Sequence, residues 1–201
     1  PPFESLEGSE VVGIEVDILK KVAEKMGMEL DLQQMDFDSV IPGVQAGKFD
    51  LGMSGITVTD KRKENVDFSS VYFMAAQAIV VTADSGIIGK ADLEGKKVSI
   101  QTGTTAEEYC MGNGYEVLAF AAALTAGKVD AWVVDNEVAL AMAPELGLTV
   151  LDEAMTSEPY AFAFQKGSEL VAPFNEALDA LLADGTVEQI FQQYGVTYIA
   201  P

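Results

Sequence analysis

The sequence has no histidine and only one cysteine, Cys110. Without histidine, the chain cannot form a Ser-His-Asp triad, a Cys-His pair or a histidine-ligated metal site. A single cysteine forms neither an internal disulfide nor a thiolate metal cluster, so we interpret Cys110 as a small buried hydrophobe. We therefore expect no metal ion and no other cofactor.

Positive charge and long apolar runs are also scarce. The chain has 12 basic residues against 32 acidic ones, which gives a net charge of −20. Such a surface repels nucleic acid and anionic membranes, so we expect neither as a partner. The longest apolar run, residues 117–126, is far shorter than the roughly 20 residues of a membrane span. With 49% apolar residues over 201 positions, the chain can bury a good core, in one domain or two small lobes.

The only arginine, Arg62, follows an apolar run and a cluster of small residues that includes Gly55 and Thr57. Glycine and small hydroxylated residues at a strand end expose backbone N–H groups, and they allow an anion to approach closely. The side chain of an arginine five residues after Thr57 can fold back over that corner. Its planar guanidinium could then bind a carboxylate. The alternative interpretation is a surface turn whose arginine is solvated.

This stretch resembles the extracytoplasmic solute-binding proteins for amino acids that serve ABC importers. The resemblance lies in the pattern Gly55-x-Thr57-x-Thr59-x-x-Arg62, with Phe68-Ser69 and Tyr72 after it. It implies that Gly55, Thr57 and Arg62 hold the α-carboxylate of a bound amino acid. Family members have a strand ahead of the position of Pro1, and no signal peptide is visible here, so we expect this end to be trimmed.

A short repeated sequence pattern suggests two similar lobes. Residues 46–50 (AGKFD) and 126–130 (AGKVD) each precede a buried strand that ends in a polar residue, as in the closing half of a βαβ unit. Together with alternating strands and helices, this predicts an α/β, two-lobed periplasmic-binding-protein-like fold, each lobe a sheet flanked by helices. We place lobe 1 at residues 1–77 and 162–201, and lobe 2 at residues 78–161. Ligands bind beyond the carboxyl ends of strands in such sheets, which predicts a ligand cleft between the lobes.

Lobe 2 carries three further candidates. Thr104 with Glu107, or equally Thr105 with Glu108, fits a capping box, and a helix N-terminus attracts anions. The resemblance implies that Gly103 and Thr105 reach the ligand carboxylate from this lobe. Asp135 follows four strand residues and is either a plain N-cap or, as the resemblance implies, the counter-charge for the α-ammonium.

Phe37 is the last candidate. It lies beside a predicted cap at Asp38 or Ser39, where an aromatic residue is typical of a hydrophobic staple. The resemblance instead implies contact with the ligand's side chain. Two further local predictions are a strand through Leu30 and Leu32 and a cap at Thr186.

We therefore predict a monomeric binding protein that closes on a small α-amino acid and presents it to an ABC transporter permease. The resemblance implies an extracytoplasmic location, either in the periplasm or at the cell surface as a lipoprotein. We assign no catalytic residue. One alternative is an enzyme on the same fold, similar to cyclohexadienyl dehydratases or lytic transglycosylases, whose general acid would be Asp36, Asp135, Glu137 or Glu158. Another is a receptor-type ligand core.

Overall fold

The computed structural model describes residues 1–119 and 123–201. The chain divides into two compact units. The first unit comprises Pro1–Met74 and Pro159–Pro201, and the second comprises Ala75–Glu158. The chain thus leaves the first unit, builds the second and returns.

Strands and helices alternate through both units. The strands are β1 (Ser5–Glu7), β2 (Glu10–Val12), β3 (Leu51–Gly52), β4 (Val66–Phe68), β5 (Phe73–Ala75), β6 (Gln77–Val81), β7 (Lys97–Ser99), β8 (Glu116–Leu118), β9 (Ala131–Asp135), β10 (Thr149–Val150), β11 (Glu158–Tyr160) and β12 (Ala163–Gln165). The helices are α1 (Ile14–Met26), α2 (Phe37–Gln45), α3 (Asp60–Lys63), α4 (Thr105–Gly112), α5 (Asn136–Met142), α6 (Val171–Ala183) and α7 (Thr186–Gln193). A short 3-10 helix covers Lys90–Leu93.

The first unit packs helices α1, α6 and α7 together, beside short antiparallel sheets. β1 pairs with β2, and β12 lies between β3 and β4. α1 ends at Gly27, which adopts the left-handed conformation that favours glycine, with φ +66°. The core-facing side of α1 is apolar except for one residue, Glu15, which is fully buried.

An aromatic cluster fills another part of the first unit. Phe73 stacks on Phe191 at a centroid distance of 4.5 Å, and Phe3 meets Tyr160 edge-on at 5.4 Å. Phe73 and Phe191 are fully buried, and aromatic side chains contribute the largest buried areas per residue in a core. The cluster therefore ties residues near both chain ends to Tyr160.

The second unit is built on a five-stranded sheet in the order β10-β6-β9-β7-β8. β7 runs parallel to β8 and β9, whereas β6 runs antiparallel to β9 and β10. Side chains of the central strands alternate between two cores, as the period of two requires. Ile79 and Val133 face the core that contains Ala106 and Cys110 of α4, whereas Trp132 faces the core of α5.

Three local predictions are wrong. Residues 28–36 form no strand, because a strand needs a neighbour for its backbone bonds and no described strand pairs with them. α2 starts at Phe37 with Asp36 at its cap position, so neither Asp38 nor Ser39 caps it. α7 is preceded by Gly185 at φ +80°, and the Thr186 hydroxyl donates back to Asp184 instead of capping the helix.

The helix that we expect ahead of Gly127 falls in part on residues 120–122, which lie outside the described residues. No helix among the described residues has the length and apolarity required to cross a bilayer.

Candidate functional site

The stretch that carries Thr57 is held in place by its backbone. Val58 N–H donates to the Pro159 carbonyl at 2.8 Å, and Ala161 N–H donates to the Ile56 carbonyl at 3.1 Å. Thr57 itself forms an isolated antiparallel bridge with Tyr160 and is only 6% exposed. A stretch secured on both sides in this way presents Thr57 in one fixed orientation.

Gly55 occupies a position that only glycine fits. Its φ is +54°, and a Cβ placed there would lie 2.8 Å from the Tyr160 ring. Its N–H donates to Glu15 Oε2 at 3.0 Å. The groups that Gly55 can offer a ligand are therefore its carbonyl oxygen and the space left by its missing side chain.

Arg62 lies on α3, and its guanidinium folds back over the same corner. Thr59 caps this helix by accepting the Arg62 N–H at 3.1 Å. The guanidinium Nη1 donates to the Thr57 carbonyl at 2.9 Å and lies 5.7 Å from the centroid of the Phe37 ring, within cation–π range. The structure thus brings Phe37, Thr57 and Arg62 together. These contacts hold the planar guanidinium, a group whose geometry matches a carboxylate.

In the second unit, Thr105 opens α4 immediately after the cap residue Thr104. Thr104 Oγ1 accepts from Glu107 N–H at 3.2 Å, so the Thr104 and Glu107 pair is the one that the helix uses. The Glu107 carboxylate accepts from Gly103 N–H at 2.8 Å, instead of returning to Thr104 as in a full capping box. Gly103 lies in an exposed turn with φ +79°.

The Thr105 side chain joins a buried polar group. Its hydroxyl donates to Glu158 Oε2 at 2.9 Å and accepts from Gln77 Nε2 at 3.4 Å. Gln77 and Glu158 are 4% and 3% exposed, and the Gln77 side-chain oxygen has no hydrogen-bond partner among the described residues. Gln77 pairs with Asp135 across β6 and β9, which places both side chains on the α4 face of the sheet.

Asp135 caps α5, as one of the two interpretations predicts. Its Oδ1 accepts from Glu137 N–H at 2.9 Å and from Val138 N–H at 3.2 Å. Asp135 is 8% exposed, so its carboxyl group is almost fully buried at the end of β9. Oδ1 is the oxygen that caps α5.

Comparison with known proteins identifies the family. Residues 1–197 match the family model for bacterial extracellular solute-binding proteins, family 3. The chain belongs to this family.

Relatives of this solute-binding protein are themselves named as binding proteins. It is 34% identical over 207 residues to the arginine-binding extracellular protein ArtP of Bacillus subtilis, covering 96% of this chain and 81% of that protein. Its structure is similar to an ancestral arginine-binding protein bound to glutamine, with a TM-score of 0.89 and 39% identity over 96% and 92% of the two chains.

A third relative is the arginine-, lysine-, histidine-binding protein ArtJ from Geobacillus stearothermophilus. The TM-score is 0.89 and the identity 31%, over 100% of this chain and 92% of that one. These neighbours confirm the predicted periplasmic-binding-protein-like fold class. The predicted resemblance to amino-acid-binding proteins of the extracellular solute-binding family is also confirmed.

Sequence reasoning missed two residues of this solute-binding protein that lie next to candidate site residues, Glu15 and Gln77. Burial, followed by the charge of Glu4, raises the pKa of the Glu15 carboxyl well above its usual range. A signal for Glu15 was present, because it is an acidic residue on the apolar stripe of α1. Gln77 carries only a weak signal, as a polar residue that opens an otherwise apolar strand.

The remaining chemical candidates of the solute-binding protein are Asp36, Glu137 and Cys110. Burial raises the pKa of the Glu137 carboxyl, while Asp36 is exposed at the start of α2. Burial also raises the pKa of the Cys110 thiol to about 12, which makes it unreactive near neutral pH. Within residues 1–119 and 123–201, no three His, Cys, Asp or Glu side chains are grouped so as to hold a metal ion.

Proposed function

We propose that this chain binds a small α-amino acid and presents it to the permease of an ABC importer. The proposal is supported by the names of its relatives, which include arginine-binding proteins, probable histidine-binding proteins and an L-cystine-binding protein. Two related ancestral structures contain glutamine and arginine. All of these ligands share an α-carboxylate and an α-ammonium, so the recognition chemistry must address both groups.

The observation that carries the proposal is the Arg62 corner. The guanidinium is held by Thr57 and by the Phe37 ring at the end of a stretch that backbone bonds secure. A planar fork of this kind forms two parallel, charge-assisted bonds to a carboxylate. We assign the α-carboxylate to Arg62 and Thr57, with Gly55 leaving the space for its close approach, and contact with the ligand side chain to Phe37.

Residues of the second unit complete the proposed site. Asp135 would hold the α-ammonium by its charge, while Thr105 and Gly103 would add contacts to the carboxylate. The lobe boundaries at 77/78 and 161/162 remain part of this proposal. Contacts from both lobes would stabilise the closed form more than the open form, which is sufficient to shift that equilibrium on binding.

We further propose that binding leads to no reaction. The relatives are named as binding proteins, and the buried carboxylates of the second unit occupy capping and hydrogen-bonding roles. The family is extracellular, and within that setting we propose a periplasmic or lipid-anchored monomer.

The experiment that tests the proposal compares Arg62→Ala with Lys63→Ala. Both changes remove one positive charge from α3, but Lys63 is exposed and pairs only with Asp60 of the same helix among the described ion pairs. Calorimetry should show that Arg62→Ala weakens binding of the amino acid by about 2–5 kcal/mol, because a buried carboxylate loses its partner. This corresponds to roughly 30- to 4,000-fold in Kd.

Lys63→Ala should change the affinity by less than about threefold, since an exposed charge is screened by solvent and salt. Equal affinities for Arg62→Ala and the wild type would contradict the carboxylate role of Arg62. Equal losses in both variants would show that only the overall charge of the helix matters.

A further inference from the structure

Next to the Arg62 corner, the first unit holds a second, partly buried polar group that has no role in the proposed ligand contacts. It consists of Glu4, Glu15, Ser54 and Tyr72. Glu15 is fully buried and accepts the Tyr72 hydroxyl at 2.7 Å and the Gly55 N–H at 3.0 Å. The Ser54 hydroxyl donates to Glu4 Oε1. Two carboxyl groups thus lie behind the backbone of Ser54 and Gly55.

The site of the Glu15 carboxyl disfavours its charged form. Burial, followed by the neighbouring charge of Glu4, raises the pKa of the Glu15 carboxyl well above its usual range. The titratable groups that act on Glu15 and Tyr72 are each other, Glu4 and Tyr160, and none of them is basic. Among the described residues, the buried Glu4 Oε2 has no hydrogen-bond partner.

The pair is connected to the candidate ligand site through the backbone. Glu15 lies in the first turn of α1, which is packed against α6 and α7, so its carboxyl is a rigid anchor. It holds the N–H of Gly55, and two residues further on the Thr57 carbonyl accepts the Arg62 guanidinium. Displacement of Gly55 would therefore move the acceptor that orients Arg62.

We propose that Glu15 is a positioning residue of the ligand site: its carboxyl accepts the Gly55 N–H and the Tyr72 hydroxyl, and it thereby fixes the backbone that leads to the carboxylate-binding corner at Thr57 and Arg62. This inference rests on the proposed function. It assigns to Glu15 no contact with the ligand. A neutral amide has one acceptor oxygen where the carboxyl uses two, so it can keep the bond from the Gly55 N–H, whereas an apolar side chain keeps neither bond.

The test compares Glu15→Gln and Glu15→Leu, with Glu24→Gln as the control on the exposed side of α1. Calorimetry at pH 7 should give Glu15→Gln an affinity within about threefold of the wild type, since the amide still accepts the Gly55 N–H. Glu15→Leu should lose at least about fivefold, because that N–H is left without an acceptor. Equal affinities for Glu15→Leu and the wild type would overturn the positioning role.

A pH series tests the protonation of Glu15 and does not depend on ligand binding. A carboxyl with a raised pKa in the folded state keeps its proton while the unfolded chain loses one above about pH 4, so folding stability must fall as pH rises through that window. Urea unfolding between pH 4 and 8 should show this decline in the wild type and in Glu24→Gln. It should be reduced in Glu15→Gln, which removes the titrating carboxyl, and in Glu4→Gln, which removes the neighbouring charge that helps to raise the pKa of Glu15.

The outcomes separate the two proposals. Parallel pH profiles for the wild type and Glu15→Gln would rule out a protonated Glu15. A loss of affinity in Glu15→Gln as large as in Glu15→Leu would mean that a charge is needed there, which also contradicts the inference. A wild type that binds no amino acid contradicts the proposed function, while the pH profiles still decide whether Glu15 holds its proton in the folded state. Should Glu15→Leu fail to fold, Tyr72→Phe removes one donor to Glu15, and an unchanged pH profile and affinity in that variant would overturn the coupling.

Discussion

Replacement of Asp135 by asparagine separates its two roles, capping and charge. The cap requires only an acceptor oxygen for the N–H groups of Glu137 and Val138, at 2.9 and 3.2 Å. Asparagine caps helices about as well as aspartate, so Asp135→Asn should keep most of the stability. The loss of negative charge at the helix N-terminus costs about 0.3–1 kcal/mol.

Asp135→Ala removes the cap as well. Loss of a capping oxygen costs about 1 kcal/mol in addition. If Asp135 also holds the α-ammonium, both variants lose that buried ion pair, which lowers the affinity for the amino acid by about 2 kcal/mol or more. The two substitutions therefore differ in stability and agree in their effect on binding.

The assay is calorimetry with the amino acid and with its des-amino analogue, alongside urea unfolding of each variant. For both variants we expect the affinity for the amino acid to fall roughly 30-fold or more, while the affinity for the des-amino analogue changes little. Equal losses for the two ligands would refute the ammonium role. An unchanged affinity in Asp135→Asn together with lower stability in Asp135→Ala would show that Asp135 acts only as the N-cap of α5.

Two further predictions concern backbone strain and thiol chemistry. In urea unfolding, Gly55→Ala should lower the free energy of unfolding clearly more than Gly27→Ala does. Both residues have a positive φ, so both substitutions strain the backbone. Only at Gly55 would the new Cβ also meet a side chain, that of Tyr160 at 2.8 Å. Similar costs at the two positions would contradict the packing seen there. The Cys110 thiol, whose pKa is raised by burial to about 12, should react with a thiol reagent at pH 8 roughly a thousandfold more slowly in the folded than in the unfolded protein. Rapid labelling of the native protein would show that α4 opens readily.

The sequence predicted best those features whose cause lies within a few residues. Arg62 returns to Thr57 only five positions away, with Thr59 capping the turn between them, so residue types and spacing contain the whole signal. Strands β6 and β9 were recognisable because buried strands are continuous apolar runs. The cap at Asp135 is equally local, since its acceptor serves residues two and three positions on.

Features that depend on distant partners could not be predicted in this way. Glu15 meets Gly55 across 40 positions, and Thr105 meets Glu158 across 53, so neither contact has a local pattern. The predicted strand through Leu30 and Leu32 failed for the same reason, since alternation shows which side chains could face a core but not whether a partner strand exists. Helix starts were misplaced by one to three residues, because several neighbouring residues at each start are acceptable caps.

The central claim is that this chain recognises both ends of a free α-amino acid. It is tested most directly by a thermal-shift screen of the wild type against the common amino acids, followed by calorimetry with each hit and with its des-amino and decarboxylated analogues. We expect at least one amino acid to raise the unfolding temperature, because a ligand of the native state stabilises it, and we expect both analogues to bind far more weakly. No stabilisation by any amino acid, or equal affinity for an analogue lacking either charged group, would contradict the account.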